Sequence, residues 1–220
     1  MKSKIGLITV YGFYKEINDL AFTMANYKPI KKGNIVGGPD DLDDRLLGEE
    51  YFIEYYIDDN QGYINQPFNN PEKAYVTGLE FSWQTNFWYL PGILKGFVLD
   101  VNYSIMNTRT KYPYFQQVIT GVDNSGFIPI YTYGQEYITR EGPMEDQPAS
   151  IVNVILGWDY KGFSARVSYR YQSETVEGLD TRYSVFDRYY DTFSLVDVML
   201  KQDITKNISA YANLTNISNH

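Results

Sequence analysis

Four carboxylates fall within five residues at Asp40, Asp41, Asp43 and Asp44, in the stretch Gly37-Gly38-Pro39-Asp40-Asp41-Leu42-Asp43-Asp44. Calcium takes oxygen ligands of this kind, but the stretch lacks both the spacing of an EF-hand and its distal glutamate. A solvated acidic loop is the competing reading. Glu80 and Asp100 form a second candidate set, a carboxylate pair on neighbouring segments. Glycoside hydrolysis would need such a pair about 5–9.5 Å apart around a bound sugar; the polarity of a wetted sheet face explains the same residues without chemistry. The single histidine, His220, is the last residue, and cysteine is absent. That leaves no Ser/His/Asp set, no HExxH, no thiolate nucleophile or metal site, and no Gly-rich phosphate loop follows a strand. No catalytic residue, no resident metal and no cofactor is predicted, and the chain is read as non-enzymatic.

Contact chemistry is better represented. Tyr51, Phe52, Tyr55 and Tyr56 lie in one long polar stretch, and Tyr112, Tyr114, Tyr131 and Tyr133 in another. These are the candidate ligand-binding residues, because exposed rings supply large contact area and stack on sugars or on aromatic chelators. Packing of loop on loop is the alternative use of the same rings. Residues 23–74 hold ten acidic and five basic side chains, and residues 111–148 hold five and two. Together these stretches account for the whole net charge of −8, a balance that argues against nucleic acid as a partner.

The elements that would position these stretches show as period-2 alternation. In YVTGLEFSWQTNFWY (75–89), Tyr75, Thr77, Leu79, Phe81, Trp83, Thr85, Phe87 and Tyr89 alternate with mostly small or polar residues, among them Glu80, Gln84 and Asn86. The run is far longer than the usual strand of about 5–6 residues. Similar alternation gives seven predicted strands, over about 4–20, 75–89, 97–110, 149–160, 163–172, 191–204 and 208–216. Short turns join some of them, at 90–96, Lys161-Gly162 and Thr205-Lys206-Asn207. Long connections over 21–74, 111–148 and 173–190 join the others. Long and short alternate strictly, so antiparallel neighbours would put every long loop at one end. Seven of nine prolines fall in the long loops, and none is expected to interrupt a strand. The start MKSKIGLITVYGF imitates a signal peptide, but Lys15, Glu16 and Asp19 interrupt it and it reads as a strand. No run of 18 apolar residues offers a transmembrane helix.

A soluble β-sandwich and an outer-membrane barrel both produce this alternation. The barrel is favoured by strand length, since a membrane strand needs about 9–11 residues. It is also favoured by Tyr75, Trp88, Tyr89, Trp158 and Tyr160 towards strand ends, and by the sorting of loops by length. Seven strands is odd for a single-chain barrel, and Glu80, Gln84, Asn86, Asp100, Asn102, Arg166, Arg170 and Gln172 suit a wide lumen. The fold class expected is therefore all-β, an antiparallel up-and-down transmembrane β-barrel segment of a larger barrel.

Four stretches give the chain a resemblance: Gly12-Phe13-Tyr14-Lys15-Glu16-Ile17, Thr77-Gly78-Leu79-Glu80, Gly162-Phe163-Ser164-Ala165-Arg166 and Asn213-Leu214-Thr215-Asn216. In this order and spacing they resemble the C-terminal part of the barrel of TonB-dependent outer-membrane receptors. The resemblance implies a 22-stranded barrel in the bacterial outer membrane, filled by an N-terminal plug. It implies active import of a scarce ligand, such as a siderophore, cobalamin or an oligosaccharide, with energy relayed by TonB. The implied partners are outer-membrane lipid, the plug domain, TonB and the small-molecule or oligosaccharide ligand. Residues 1–220 depart from the family pattern in having no plug, no TonB box and no final strand ending in an aromatic residue. A soluble carbohydrate-binding β-sandwich and a passive porin or adhesin barrel remain the alternatives.

Overall fold

The computed structural model describes residues 4–27, 35–37, 64–180 and 182–218. In chain order its strands are β1 (Leu7–Ile17), β2 (Ala21–Tyr27), β3 (Ile35–Val36), β4 (Ile64–Asn69), β5 (Ala74–Asn86), β6 (Phe97–Asp123) and β7 (Ile130–Gly142). Then follow β8 (Ser150–Tyr160), β9 (Phe163–Gln172), β10 (Thr175–Gly178), β11 (Arg188–Tyr190), β12 (Phe193–Thr205) and β13 (Ile208–Leu214). Seven of them form an antiparallel wall in the order β1-β5-β6-β8-β9-β12-β13, with chain neighbours along this path side by side. The architecture is thus an all-β, up-and-down barrel segment whose sheet does not close on itself.

Register shows what the alternation is for. Side chains directly opposite each other share a face. One face collects Val10, Phe81, Tyr103, Val152 and Tyr171, and in other rows Leu79, Ile105, Leu156, Val167, Val198 and Leu214. It is open along its length, with Leu79 58%, Leu156 47% and Val167 43% exposed. The opposite face collects Glu80 with Ser104, Gln84 with Asp100, Asn102 with Asn153, and Arg170 with Asn153. A sandwich would cover the apolar face with a second sheet. The described residues supply none: the two further sheets are two-stranded ribbons, β2 with β4 and β10 with β11.

Aromatics mark both ends of the apolar band. Near the short turns, Trp158 contacts Phe97 (6.5 Å), Tyr160 (5.7 Å, stacked) and Phe163 (5.8 Å). At the other end Tyr14 stacks on Tyr75 at 6.2 Å. From Phe163 to Tyr171 the band takes up nine residues of β9, the low end of the about 9–11 that a tilted membrane strand needs. Trp88 and Tyr89 differ from expectation: β5 ends at Asn86, and both sit in the turn that leads into a 3-10 segment, Gly92–Gly96.

Two of the family-like stretches meet in register, Phe13 opposite Gly78. The Phe13 ring lies over the glycine so closely that a Cβ there would stand 2.5 Å from Phe13 Cζ and 2.8 Å from the Ile105 carbonyl oxygen. The backbone atom has no room to give. Gly78→Val is expected to cost about 1–3 kcal/mol from overpacking, read as a lower denaturation midpoint of the full-length protein. Gly126→Ala, whose Cβ would meet nothing closer than 3.7 Å, should leave the midpoint unchanged.

The long connections correct the sequence reading. The 111–148 connection is a two-stranded ribbon for most of its length, because β6 continues to Asp123 and pairs with β7. The 21–74 connection contains the ribbon of β2 and β4, and 173–190 contains that of β10 and β11. Proline does interrupt strands here: Pro113 lies in β6 opposite Thr139, and Pro67 in β4 opposite Thr23. A two-stranded ribbon pairs on one side only, so a missing N–H is tolerated there as it is at a sheet edge. The turn at Lys206-Asn207 uses no positive φ, whereas Gly92 (φ 59°) in the 90–96 turn and Lys161 (φ 50°) and Gly162 (φ 79°) are left-handed.

Candidate functional site

The described parts of the long connections lie at one end of the wall, where they pack on one another and form a mouth. The apolar floor is a small cluster of Ala74, Val76 and Met144, with Phe13, Ile17 and Leu20 against it. Asn70 fastens this floor. Fully buried, it donates from Nδ2 to the Lys111 carbonyl (2.8 Å), accepts from the Glu72 N–H (2.9 Å), and its own N–H donates to the Leu20 carbonyl (2.9 Å). A buried amide with its groups satisfied in this way fixes geometry. Here it holds the start of β5, the end of the β2–β4 ribbon and the point where β6 passes from wall to ribbon.

The ribbon of β10 and β11 is fastened to that of β6 and β7 by charge. Arg140 on β7 makes a two-pronged contact with Asp187, at 2.7 and 2.5 Å, and also donates to the Asp180 carbonyl. The Asp187 side chain is 2% exposed and additionally accepts from the Asp180 N–H at 3.0 Å. The Arg140 guanidinium holds the Asp187 carboxyl below its usual range, and Asp187 in turn raises Arg140. Arg182 donates to the Phe115 carbonyl at 3.1 Å, and the Leu179 N–H to Glu145 at 3.0 Å. This is a clamp made for position.

The eight predicted ligand-binding aromatics separate. Tyr51, Phe52, Tyr55 and Tyr56 lie outside the described residues, as do the calcium candidates Asp40, Asp41, Asp43 and Asp44. Tyr112 is 2% exposed, meets Phe22 edge-on at 5.4 Å and donates its hydroxyl to the Pro143 carbonyl at 2.8 Å. Burial pushes its phenol well above the ordinary tyrosine range. In this conformation its ring packs loops together and presents no face to a ligand. Tyr137 behaves alike: its hydroxyl donates to Glu72 (3.1 Å), its ring meets Phe115, and burial raises its phenol.

Tyr114 lines an open cleft of about 320 Å³ with Gln116, Arg182 and Tyr183. Tyr131 and Tyr133 are half exposed on the outer part of the long ribbon, opposite Val122 and Ile119. The cleft joins rings, an amide and a guanidinium, a set suited to the hydroxyls, carboxylates or aromatic rings of a small ligand. Sequence reasoning missed Gln116, Arg182 and Tyr183, because their partner Tyr114 lies 69 residues from Tyr183 in sequence and no local spacing links them. Glu80 and Asp100 do not form an acid/base pair. Glu80 stands opposite Ser104 and Asp100 opposite Gln84, four residues apart along the wall, about 13 Å at the usual strand rise. The Asp100 carboxylate already accepts from Gln84 (3.0 Å) and Asn102 (2.8 Å). Among the described residues no group of three or more His, Cys, Asp or Glu is placed to hold a metal ion.

One observation decides the kind of protein to which this wall and mouth belong. The family model for TonB dependent receptor-like, beta-barrel matches residues 3–217. The chain belongs to this family. No curated protein and no solved structure matches it. TonB-dependent receptors are outer-membrane receptors and transporters, so the seven-stranded wall is receptor barrel. Its exposed apolar band then has a natural neighbour in lipid.

Proposed function

We propose that this chain forms wall and ligand-contacting mouth of an active outer-membrane importer of a scarce ligand, a siderophore, cobalamin or an oligosaccharide. The observation that carries the reading is the cleft of Tyr114, Gln116, Arg182 and Tyr183 on a clamped loop scaffold, at the open end of a receptor barrel. In this reading the rigid wall supplies the frame and its backbone is fully paired, as lipid demands. Among the described residues β1 and β13 each pair on one side only, and in this reading further strands of the same barrel complete both edges. A plug domain of the receptor, driven by TonB, would perform the energised step. The chain itself performs no covalent chemistry.

The test is uptake by cells whose own copy of the full-length receptor gene is deleted and restored. Labelled ferric siderophore, cobalamin and maltooligosaccharide are the probes. The wild-type receptor is expected to restore uptake of one class, dependent on TonB. Tyr114→Ala with Tyr183→Ala should reduce that uptake roughly tenfold at unchanged surface level, in line with about 1–1.5 kcal/mol for losing a contacting aromatic. Uptake of the same probe in cells without TonB would indicate a passive pore and overturn the importer.

A further inference from the structure

The short-turn rim carries a charge pattern opposite to that of the chain as a whole. Lys95 lies in the last turn of the 3-10 segment Gly92–Gly96, Lys161 opens the two-residue turn between β8 and β9, and Lys206 opens that between β12 and β13. Lys4 enters β1 at the same end. All four are exposed. The carboxylates nearest these turns are already occupied: Arg166 grips Asp159 at 2.9 and 2.6 Å, while Lys201 (3.0 Å) and the Ser209 hydroxyl (2.6 Å) hold Asp203. Among the described residues none of the four lysines forms an ion pair. On a protein of net charge −8, every short turn therefore ends in an unneutralised ammonium group.

Two of these ammonium groups stand over aromatic rings at the short-turn end. Lys161 Nζ lies 5.3 Å from the Tyr160 ring centroid and Lys4 Nζ 5.9 Å from that of Tyr89. Trp158 Nε1 donates to the Ile93 carbonyl at 2.9 Å, which ties the turn bearing Lys95 to the wall. Lys161 occupies this place at a conformational cost: its φ of 50° lies in the left-handed region, which asparagine or glycine adopts more readily. Backbone economy does not select lysine there.

We propose that this collar binds the anionic headgroups of phospholipids in the leaflet on the short-turn side, with phosphatidylglycerol as the representative class. Lys161 and Lys4 hold their ammonium groups over rings, within reach of the phosphates, the arrangement by which amphipathic cations anchor at a membrane interface. The inference rests on the lipid-facing reading of the apolar band.

The test is performed on the full-length receptor in nanodiscs of phosphatidylethanolamine with a minor fraction of phosphatidylglycerol. Spin-labelled versions of each lipid report the immobilised fraction at the protein. The wild type is expected to immobilise phosphatidylglycerol several-fold more strongly than phosphatidylethanolamine, with the preference falling as salt rises. The combined variant Lys95→Gln, Lys161→Gln and Lys206→Gln should lose it. The combined variant with arginine at the same positions should keep it, and Lys111→Gln at the loop end should leave it unchanged. Far-UV circular dichroism establishes that each variant is folded. Immobilised lipid without headgroup preference, or a preference that survives the glutamine variant, would overturn the collar and leave the lipid-facing band standing. No immobilised lipid of either kind would overturn both.

Discussion

Val167→Arg is expected to impair barrel assembly severely, whereas Ser168→Arg, the next residue, should be tolerated. Val167 is 43% exposed on the apolar face, opposite Leu156 and Val198. It sits midway between the aromatics at Phe163 and Tyr171. An arginine on the lipid side near the midplane of a barrel costs about 2–4 kcal/mol. Ser168 faces the other way, beside Ile155 and opposite Asp197, where a cation gains a carboxylate neighbour. The check is the fraction of full-length receptor that reaches a folded, heat-resistant form in outer-membrane preparations. Equal tolerance at both positions would contradict the assignment of faces.

The second large effect is expected at the mouth. Asp187→Ala leaves Arg140 without its two-pronged partner and strips an acceptor from the Asp180 N–H. Breaking a buried pair from one side costs roughly 3 kcal/mol or more, and the 23% exposure of the Arg140 side chain puts this one at the low end. The loss should appear locally, as faster amide exchange over residues 175–190, while the wall strands stay protected. The pH dependence has a definite sign. The folded-state carboxyl of Asp187 is depressed below the unfolded value of about 3.9. Its contribution is therefore complete above the ordinary carboxylate range and is lost as pH falls through the folded-state value. The protection of amides over 175–190, measured relative to the intrinsic exchange rate at each pH, should be flat between about pH 6 and 8 and should fall in acid. In Asp187→Ala this acid-dependent component should disappear.

How much of this was legible in the sequence differs between wall and mouth. Wall strands such as 163–172 show themselves because each residue faces either the apolar or the polar side, and the alternation runs unbroken for the height of the band. The ribbon of β6 and β7 hides for the opposite reason. Just beyond Arg109 both of its faces are buried, at Tyr112 on one and Phe115 on the other, so no alternation of apolar and polar residues registers, and Pro113 argues locally against a strand; 111–148 therefore reads as a loop. β10 and β11, of four and three residues, are too short for any period to register.

The site was legible in residue type and illegible in partnership. Exposed-looking tyrosines drew attention to Tyr112 and Tyr114 alike, yet tertiary packing buries the first and opens the second. Nothing local to Arg140 and Asp187, 47 residues apart, announces that they meet. Phe13 over Gly78 is the intermediate case: both residues lie in stretches that resemble the receptor family, and only the register of β1 against β5 shows why they belong together.

The most direct measurement is a spin-label scan along β9 in the membrane-reconstituted full-length receptor, with the label placed in turn at residues 165–170. The chain contains no cysteine, so each introduced cysteine in it reports a single place. Collision with dissolved oxygen marks lipid exposure and collision with a water-soluble nickel chelate marks an aqueous surface. A period of two is expected, with Ala165, Val167 and Tyr169 favouring oxygen and Arg166, Ser168 and Arg170 favouring the chelate. Chelate access at all six positions, with no alternation, would contradict a lipid-facing wall.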